Sequence, residues 1–341
     1  MEKDYKYMVA TRCFTYNHAP FIIDALNGFS IQEADFSMVY CIVDDASTDD
    51  EPNILRTWAE NNLDLNEDGV SYREILDYGE IIVAHLKDKH NSLFVILLLS
   101  SNHKQAGKSK LQYISEWLNN SKYIAICEGD DYWTDPQKLA KQVKILESDS
   151  EIGLCYASAK VYDEDSHSFS KEIKGHRFES FEQQLLWNYI PTLTVCMRTD
   201  LRKRYEIEKR SWEEAKTWKM GDYPTWLWFC LNSKVSFLDE VVAVYRVSPG
   251  TASRPKTLAE QKAFADSTYS IQMHFATAAN VDIETLDLIK RSWRKALTYI
   301  YINNDEYGRG LEEAKILPPL QRVHVLLYIL KKRWFFKRFS C

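Results

Sequence analysis

Two short stretches carry adjacent acids directly behind apolar runs: Asp44 and Asp45 in "VYCIVDDASTDDE", and Asp130 and Asp131 in "YIAICEGDDYWTDPQKL". Neighbouring carboxylates repel one another, and burying either without a partner is costly. One or two carboxylates at a strand end can hold a hard divalent ion such as Mg²⁺ or Mn²⁺, with phosphate oxygens completing the shell. An ion bound to a diphosphate neutralises the charge that develops on a departing nucleoside diphosphate. A second acid pair can accept hydrogen bonds from a base or a ribose, because ionised carboxylates are acceptors only. Such a transfer also needs an acid to deprotonate an incoming hydroxyl, and "KMGDYPTWL" offers Asp222 behind a glycine. Each acid has a simpler reading as a turn or helix cap. The two pairs gain weight from being two.

The elements around these acids follow from hydrophobic spacing. "YMVATRCF", "VYCIVDD", "LFVILLL", "YIAICEG" and "GLCYASAKVY" are near-continuous apolar runs and predict strands. Helical spacing recurs in "PFIIDALNGF" and "DDEPNILRTWAEN", and Asp135 with Pro136 predicts the start of a helix whose inward stripe is Leu139, Val143 and Leu146. Apolar strands alternating with helices predict an α/β chain with a mostly parallel sheet. Ligands of such sheets sit at the carboxyl ends of the strands, so both acid pairs should emerge at one edge. Residues 62–92 are polar with short helical patches and read as an insertion, a lid or an acceptor platform. "LTVCMRT" predicts a strand, "DYPTWLWFCL" a helix, "KVSFLDEVVAVYRV" two strands about an Asp-Glu turn, and residues 257–314 helices.

The chain has 341 residues, 45% of them hydrophobic and 27% charged, with a formal net charge of −6. These values fit a soluble globular protein with a sizeable core and argue against a general nucleic-acid binder, which carries a basic face. The 7 cysteines show no C-x-x-C spacing, so neither a disulfide framework nor a zinc site is expected. "MEKDYKYMVATRCF" has no apolar signal core, and no segment reaches the roughly 18 apolar residues of a membrane span. A cytoplasmic protein is expected. The tail "PPLQRVHVLLYILKKRWFFKRFSC" mixes Lys331, Lys332, Arg333, Lys337 and Arg338 with Trp334, Phe335, Phe336 and Phe339, and no acid follows Glu313. That composition suits the surface of an anionic membrane at the inner face of the cytoplasmic membrane, with a packed C-terminal helix as the simpler reading.

Taken together, "TYNHAPFIIDAL", "IVDDASTDD", "YIAICEGDDYWTDPQKLAKQV" and "GDYPTWLWFCL" followed by "VSFLDEVVAVYRVS" resemble the family 2 glycosyltransferases of the GT-A fold, of the kind that builds bacterial surface polysaccharides. The resemblance covers residues 8–250. It implies a mixed, mostly parallel central sheet flanked by helices: a Rossmann-like nucleotide half and an acceptor half within residues 1–252, followed by a helical C-terminal extension over 253–341 whose membrane-surface segment is about 318–341. By the same resemblance Thr15 and Tyr16 line the nucleotide pocket. Asp45 hydrogen-bonds the base with Asp44 beside it, Asp130 meets the ribose and donor sugar, and Asp131, with Asp130, binds Mn²⁺ or Mg²⁺. Asp222 is then the catalytic base of an inverting transfer from a nucleoside-diphosphate sugar, a UDP-sugar above others, to a glycan or lipid-linked glycan. A basic residue near the donor is expected, and "NHKQAGKSK" offers Lys104 or Lys108. Trp133 is the residue on the acceptor side, stacking on a sugar face. Many relatives place a His shortly after the Y-R of the last strand, where this chain has Ser248. His18, His103 and His176 show no ligand spacing and read as ordinary. Two rivals follow from the same residues. One is a phosphotransferase with an aspartyl nucleophile in "VDDAST", which wants D-x-D spacing where this chain has adjacent acids and Ala46. The other is an inactive, membrane-docked partner of a glycan-assembly complex.

Overall fold

A single mixed sheet carries both acid pairs. The structure, a computed structural model, describes residues 4–248 and 256–339, with side chains up to residue 332. In chain order the elements are β1 (Tyr7–Thr15), α1 (Ile22–Ser30), β2 (Met38–Asp44), α2 (Glu51–Asn62), β3 (Tyr72–Leu76), β4 (Gly79–Leu86), β5 (Lys89–Leu99), α3 (Leu111–Asn119), β6 (Ser121–Ile126), β7 (Tyr132–Trp133) and α4 (Lys138–Ser148). They continue with β8 (Ile152–Asp163), β9 (Ser168–Lys174), α5 (Phe181–Leu186), β10 (Cys196–Arg198), α6 (Thr199–Lys209), α7 (Asp222–Asn232), β11 (Lys234–Val247), α8 (Leu258–Ala279), α9 (Ile283–Asn303), α10 (Tyr307–Glu313) and α11 (Pro319–Phe339).

The chain divides into two compact units: Met1–Arg177, Tyr189–Glu206 and Asn232–Pro249 form one, and Phe178–Asn188, Ile207–Leu231 and Gly250–Cys341 the other. The first unit holds the whole sheet, in the order β3-β4-β5-β2-β1-β6-β10-β8-β11-β7 with β9 paired to β8. Its centre, β5-β2-β1-β6, is parallel. Every residue of β2 is buried, as a strand covered on both faces requires, which is why "MVYCIVD" is apolar without alternation. Register aligns Thr15 with Asp44 and Asp44 with Leu98, so β1, β2 and β5 end together. Beyond β6 the chain stays beside β1, with the Gly129 amide donating to the Phe14 carbonyl at 3.0 Å. Both acid pairs therefore leave the sheet at its carboxyl edge.

Four expectations change. Residues 62–92 extend the sheet through β3, β4 and the start of β5 rather than forming helical patches. "KVSFLDEVVAVYRV" is one long strand, β11, in which register shifts between Leu238 and Val241 and between Val241 and Ala243 absorb the Asp-Glu pair. "LTVCMRT" is strand only over Cys196–Arg198. The helix after Asp135 starts at Lys138, because Asp135 spends its carboxylate on the Gln137 amide at 2.9 Å and closes a turn before the helix.

The second unit is helical. Thr257 and Glu260 form a reciprocal capping box at the start of α8, Asn280 ends it in the left-handed conformation, and Asp282 caps α9. Inside this unit α11 lays Val325 and Ile329 on Ile302, Ala314 and Leu317. Leu320, Val323, Leu327 and Leu330 recur on another face of α11 and are exposed. Two tail cations are already committed, Lys332 to Asp305 at 2.8 Å and Lys315 to Glu312 at 2.5 Å. The aromatic side chains from Trp334 onward lie outside the described residues. Among the described residues, no helix is long and apolar enough to cross a membrane.

Candidate functional site

The site is built from three loops at the carboxyl edge of β1, β2 and β6. Its floor is a hydrogen-bond network around Glu51, which is fully buried at the start of α2. Glu51 accepts from the Thr15 hydroxyl and from the His18 amide at 2.8 Å, and Ser47 Oγ stands 2.9 Å from it. Asn17, in the left-handed region at φ 56°, turns its side-chain oxygen to the Thr48 amide at 2.8 Å, and Asp49 takes the Ala19 amide at 3.0 Å. The loop after β1 and the loop after β2 are thus one rigid unit. Gly129 follows because a Cβ there would stand 2.2 Å from Thr15 Oγ1.

Asp44 and Asp45 are both buried but do different work. Ser47 reaches Asp44 through both its amide, at 3.1 Å, and its hydroxyl. Burial lifts the Asp44 carboxyl to about 6, against the lowering effect of the two Ser47 bonds. Ser47 has one hydroxyl proton and two carboxylate neighbours, so a proton on Asp44 completes the chain to Glu51. Asp45 goes the other way. Burial acts to raise it, but Lys110 at 2.9 Å and the amides of His103 at 2.7 Å and Lys104 at 3.1 Å outweigh that and lower it.

Asp130 and Asp131 sit side by side behind β6. Asp131 is buried, and its Oδ1 accepts the Arg246 amide at 2.8 Å from β11. Burial first, and the charge of Asp130 second, push the Asp131 carboxyl well up. Asp130 is one-fifth exposed and lies 3.9 Å from His18 Nε2. Arg246 braces the pair from behind, donating to the Asp130 carbonyl at 3.1 Å and pairing with Asp24 at 2.7 Å and Glu164 at 2.6 Å. Glu128 is held by Arg12 at 2.7 Å and by the Phe14 amide at 3.0 Å. A hard divalent cation fits this donor set: two adjacent carboxylates, one disfavoured as an anion by burial, with Arg246 committed to other acids.

Asp222 belongs to the second unit. It opens α7 and lines a cavity of about 800 Å³ with Trp187, Lys219, Tyr223, Tyr269 and Trp293. The walls are aromatic: Tyr269 stacks on Trp293 at 4.3 Å, and Trp187 is 69% exposed.

The sequence-predicted residues separate as follows. Asp44, the last residue of β2, and Asp45, Asp130 and Asp131 in the loops that follow lie at one sheet edge, with Tyr16 half-buried beside Thr15. Lys104 and Lys108 are exposed in the loop that Asp45 anchors. The Thr15 hydroxyl donates to Glu51, and the two Asp45 oxygens accept from the His103 and Lys104 amides and from Lys110. One expectation is corrected. Trp133 offers no face to a sugar: it is 1% exposed, donates from Nε1 to the Leu193 carbonyl at 2.7 Å, and packs between Phe29 and Lys138. Sequence reasoning missed Glu51, Lys110, Arg246 and His18. Glu51 and Lys110 stood among exposed-looking polar residues, and only the spacing of Arg246 behind an apolar strand gave any signal.

No family model matches the chain. An uncharacterised protein of Mycobacterium tuberculosis is 30% identical over 236 residues, which is 68% of this chain and 56% of that protein. A Mycobacterium bovis protein, also uncharacterised, matches to the same extent. The chain thus spans 56% of the length of these curated relatives. An uncharacterised glycosyltransferase of Methanocaldococcus jannaschii is 24% identical over 198 residues, 58% of this chain and 64% of that one. Among solved structures, a mannosyltransferase of Pyrobaculum calidifontis in complex with GDP-mannose and Mn²⁺ superposes with a TM-score of 0.51 at 16% identity, over 96% of this chain and 83% of that chain. Residues 1–349 of TarS from S. aureus, in complex with UDP-GlcNAc, align with a TM-score of 0.49 at 14% identity, over 90% of this chain and 89% of that chain. The fold is that of the GT-A glycosyltransferases.

Proposed function

We propose that the chain is an inverting, metal-dependent glycosyltransferase that moves a sugar from a nucleoside-diphosphate donor, a UDP-sugar, to a hydroxyl of a glycan acceptor. The observation that carries this reading is the arrival of two acid pairs, with Asp44, Asp45 and Asp131 buried, at one carboxyl edge of a GT-A sheet. Asp130 and Asp131 would hold Mn²⁺ or Mg²⁺, which when bound neutralises charge on the diphosphate leaving group. Lys104 or Lys108, on the loop anchored by Asp45, supplies a further cation for the phosphates. Asp222 takes the acceptor hydroxyl proton as that oxygen bonds to the anomeric carbon, and the bond from that carbon to the diphosphate breaks with its electron pair on the phosphate oxygen. With Trp133 in the core, the acceptor platform is the aromatic cavity of the second unit, where Trp187 and Trp293 present the flat faces that sugars stack on.

The acceptor reading extends to a lipid-linked intermediate of surface-polysaccharide synthesis, met at a membrane surface. The exposed Leu320, Val323, Leu327 and Leu330 of α11 motivate that step, together with the cations flanking them. The test of the central reading is a thermal-shift panel of UDP-, GDP- and dTDP-sugars with and without Mn²⁺, followed by a transfer assay with the hit. A shift that needs both sugar nucleotide and metal is expected. Release of inorganic phosphate from phospho-sugars without transfer would overturn it, as would the absence of any donor-dependent shift.

A further inference from the structure

At the opposite edge of the sheet, where β4 ends and β5 begins, His85, His90 and Glu67 converge. His85 Nδ1 lies 2.7 Å from Glu67 Oε2, and His90 Nδ1 lies 3.7 Å from Glu67 Oε1. The two imidazoles meet edge to face at 5.9 Å, and one donor atom from each of the three residues falls within 4.8 Å of the others. His85 and Glu67 are mostly buried, while His90 is two-thirds exposed. Two imidazoles and a carboxylate form the donor set that borderline divalent ions select, with bonds of about 2.0–2.2 Å and a fourth position for water.

The surroundings keep competing cations away. Lys87 donates to the Glu60 and Asn61 carbonyls at 3.2 and 2.8 Å, and Lys89 is turned to the Ser30 carbonyl at 2.9 Å and to the Gln32 carbonyl. Both lysines bracket the turn yet point their charge elsewhere. The frame is already set by backbone: the Asp64 amide bonds the His85 carbonyl at 2.9 Å, and the Leu63–Leu86 bridge continues the pairing. The loop that carries Glu67 is therefore held against the hairpin that carries both histidines, and small side-chain rotations close the set on an ion.

We propose that Glu67, His85 and His90 form a zinc site that staples the loop 64–71 to the β4–β5 hairpin. It is separate from the donor-site metal. Leu98, the partner of Asp44, is eight residue steps along β5 from His90, and at about 3.3 Å per residue that is roughly 26 Å of strand. The ligands differ in kind as well. Oxygen-only Asp130 and Asp131 suit Mn²⁺ or Mg²⁺, whereas imidazole favours Zn²⁺. The site gives the inserted strands a structural role and takes no part in transfer. It does not depend on the glycosyltransferase reading.

The full chain, stripped with chelator and dialysed, is titrated with Zn²⁺ and separately with Co²⁺. One equivalent of tightly bound Zn²⁺ is expected, together with the intense visible absorption of tetrahedral Co²⁺ and slower proteolysis within residues 64–71. His90→Gln, at an exposed position, and Glu67→Gln, which can still accept from His85, should each weaken Zn²⁺ at least tenfold. Asp130→Asn with Asp131→Asn should leave this Zn²⁺ equivalent in place. Unchanged Zn²⁺ affinity in His90→Gln and Glu67→Gln would overturn the site, as would loss of the equivalent in the Asp130/Asp131 variant or no binding by the wild-type chain.

Discussion

The two units hold their candidate carboxylates in opposite ways. In the sheet unit Asp44, Asp45 and Asp131 are buried and fixed by backbone amides, a serine, a lysine and the Arg246 amide. In the helical unit Asp222 stands half-buried at the start of α7, on the wall of an aromatic cavity. A buried acid in a rigid loop suits a ligand common to many enzymes, because diphosphate and metal demand fixed charge at fixed distance. A half-exposed acid beside flat aromatic walls suits a ligand that differs between enzymes, since stacking reads shape rather than charge. On the proposed reading, the sheet unit would hold the donor and the helical unit the acceptor.

That contrast can be broken most directly at its two poles. Asp131→Ala should abolish metal-dependent transfer, a loss of about 10³-fold or more, and calorimetry should show Mn²⁺ binding gone with it. Asp222→Asn should lower kcat by about 10²–10⁴-fold while the donor-dependent thermal shift survives. Normal turnover by that variant would remove the base assignment and leave the acceptor role of the second unit without a catalytic group.

A sharper cut lies inside the sheet unit, between the lysines. Lys110→Met leaves Asp45 buried without its cation and should cost about 3 kcal/mol of stability, read as a drop in chemical-denaturation midpoint. Lys104→Ala and Lys108→Ala, both exposed, should change stability by less than about 0.5 kcal/mol and weaken donor binding instead. Equal midpoints for all three would mean that Asp45 needs no partner.

Asp44 gives a pH signature. Its folded carboxyl keeps a proton up to about 6, against an ordinary value of 3.8, so the folded state binds more protons between those values. Stability conferred by this group is present below pH 4 and is lost as pH rises through about 6, by at most about 3 kcal/mol. Asp44→Asn cannot ionise and can still bond Ser47, so its melting temperature should exceed that of wild type above pH 6.5 and the gap should close toward pH 4. A gap independent of pH would show that Asp44 is ionised throughout. The smallest effect belongs to the helical unit. Replacing Leu320, Leu327 and Leu330 of α11 together with Gln should leave stability nearly unchanged, because these side chains are exposed, yet should release the protein from anionic liposomes. Unchanged sedimentation would remove the membrane contact.

Much of the sheet unit is legible because its strands are covered on both faces. "VYCIVDD" and "YIAICEG" can hardly be anything but central parallel strands, and the rule that ligands meet the carboxyl ends then places the acids. The edge of the sheet was harder to read. "SYREILDYGEIIVAHL" alternates and includes polar residues because β3 is exposed and β4 is covered unevenly, so its strands resemble surface helix. Trp133 misled for a related reason: an aromatic next to an acid pair has the same letter whether it faces a sugar or the core.

Composition and spacing by themselves determined the parallel sheet, the order of its central strands along the chain and the edge at which Asp44 and Asp130 emerge, since these depend on the burial of strands covered on both faces. Only the tertiary structure decided what each carboxylate faces. Asp45 was given to Lys110, 65 residues away, Asp131 to the backbone of Arg246, and Glu51 to Thr15. The partners of a buried charge come from whichever distant segments the packing brings within about 3 Å, and no local pattern in the chain records that.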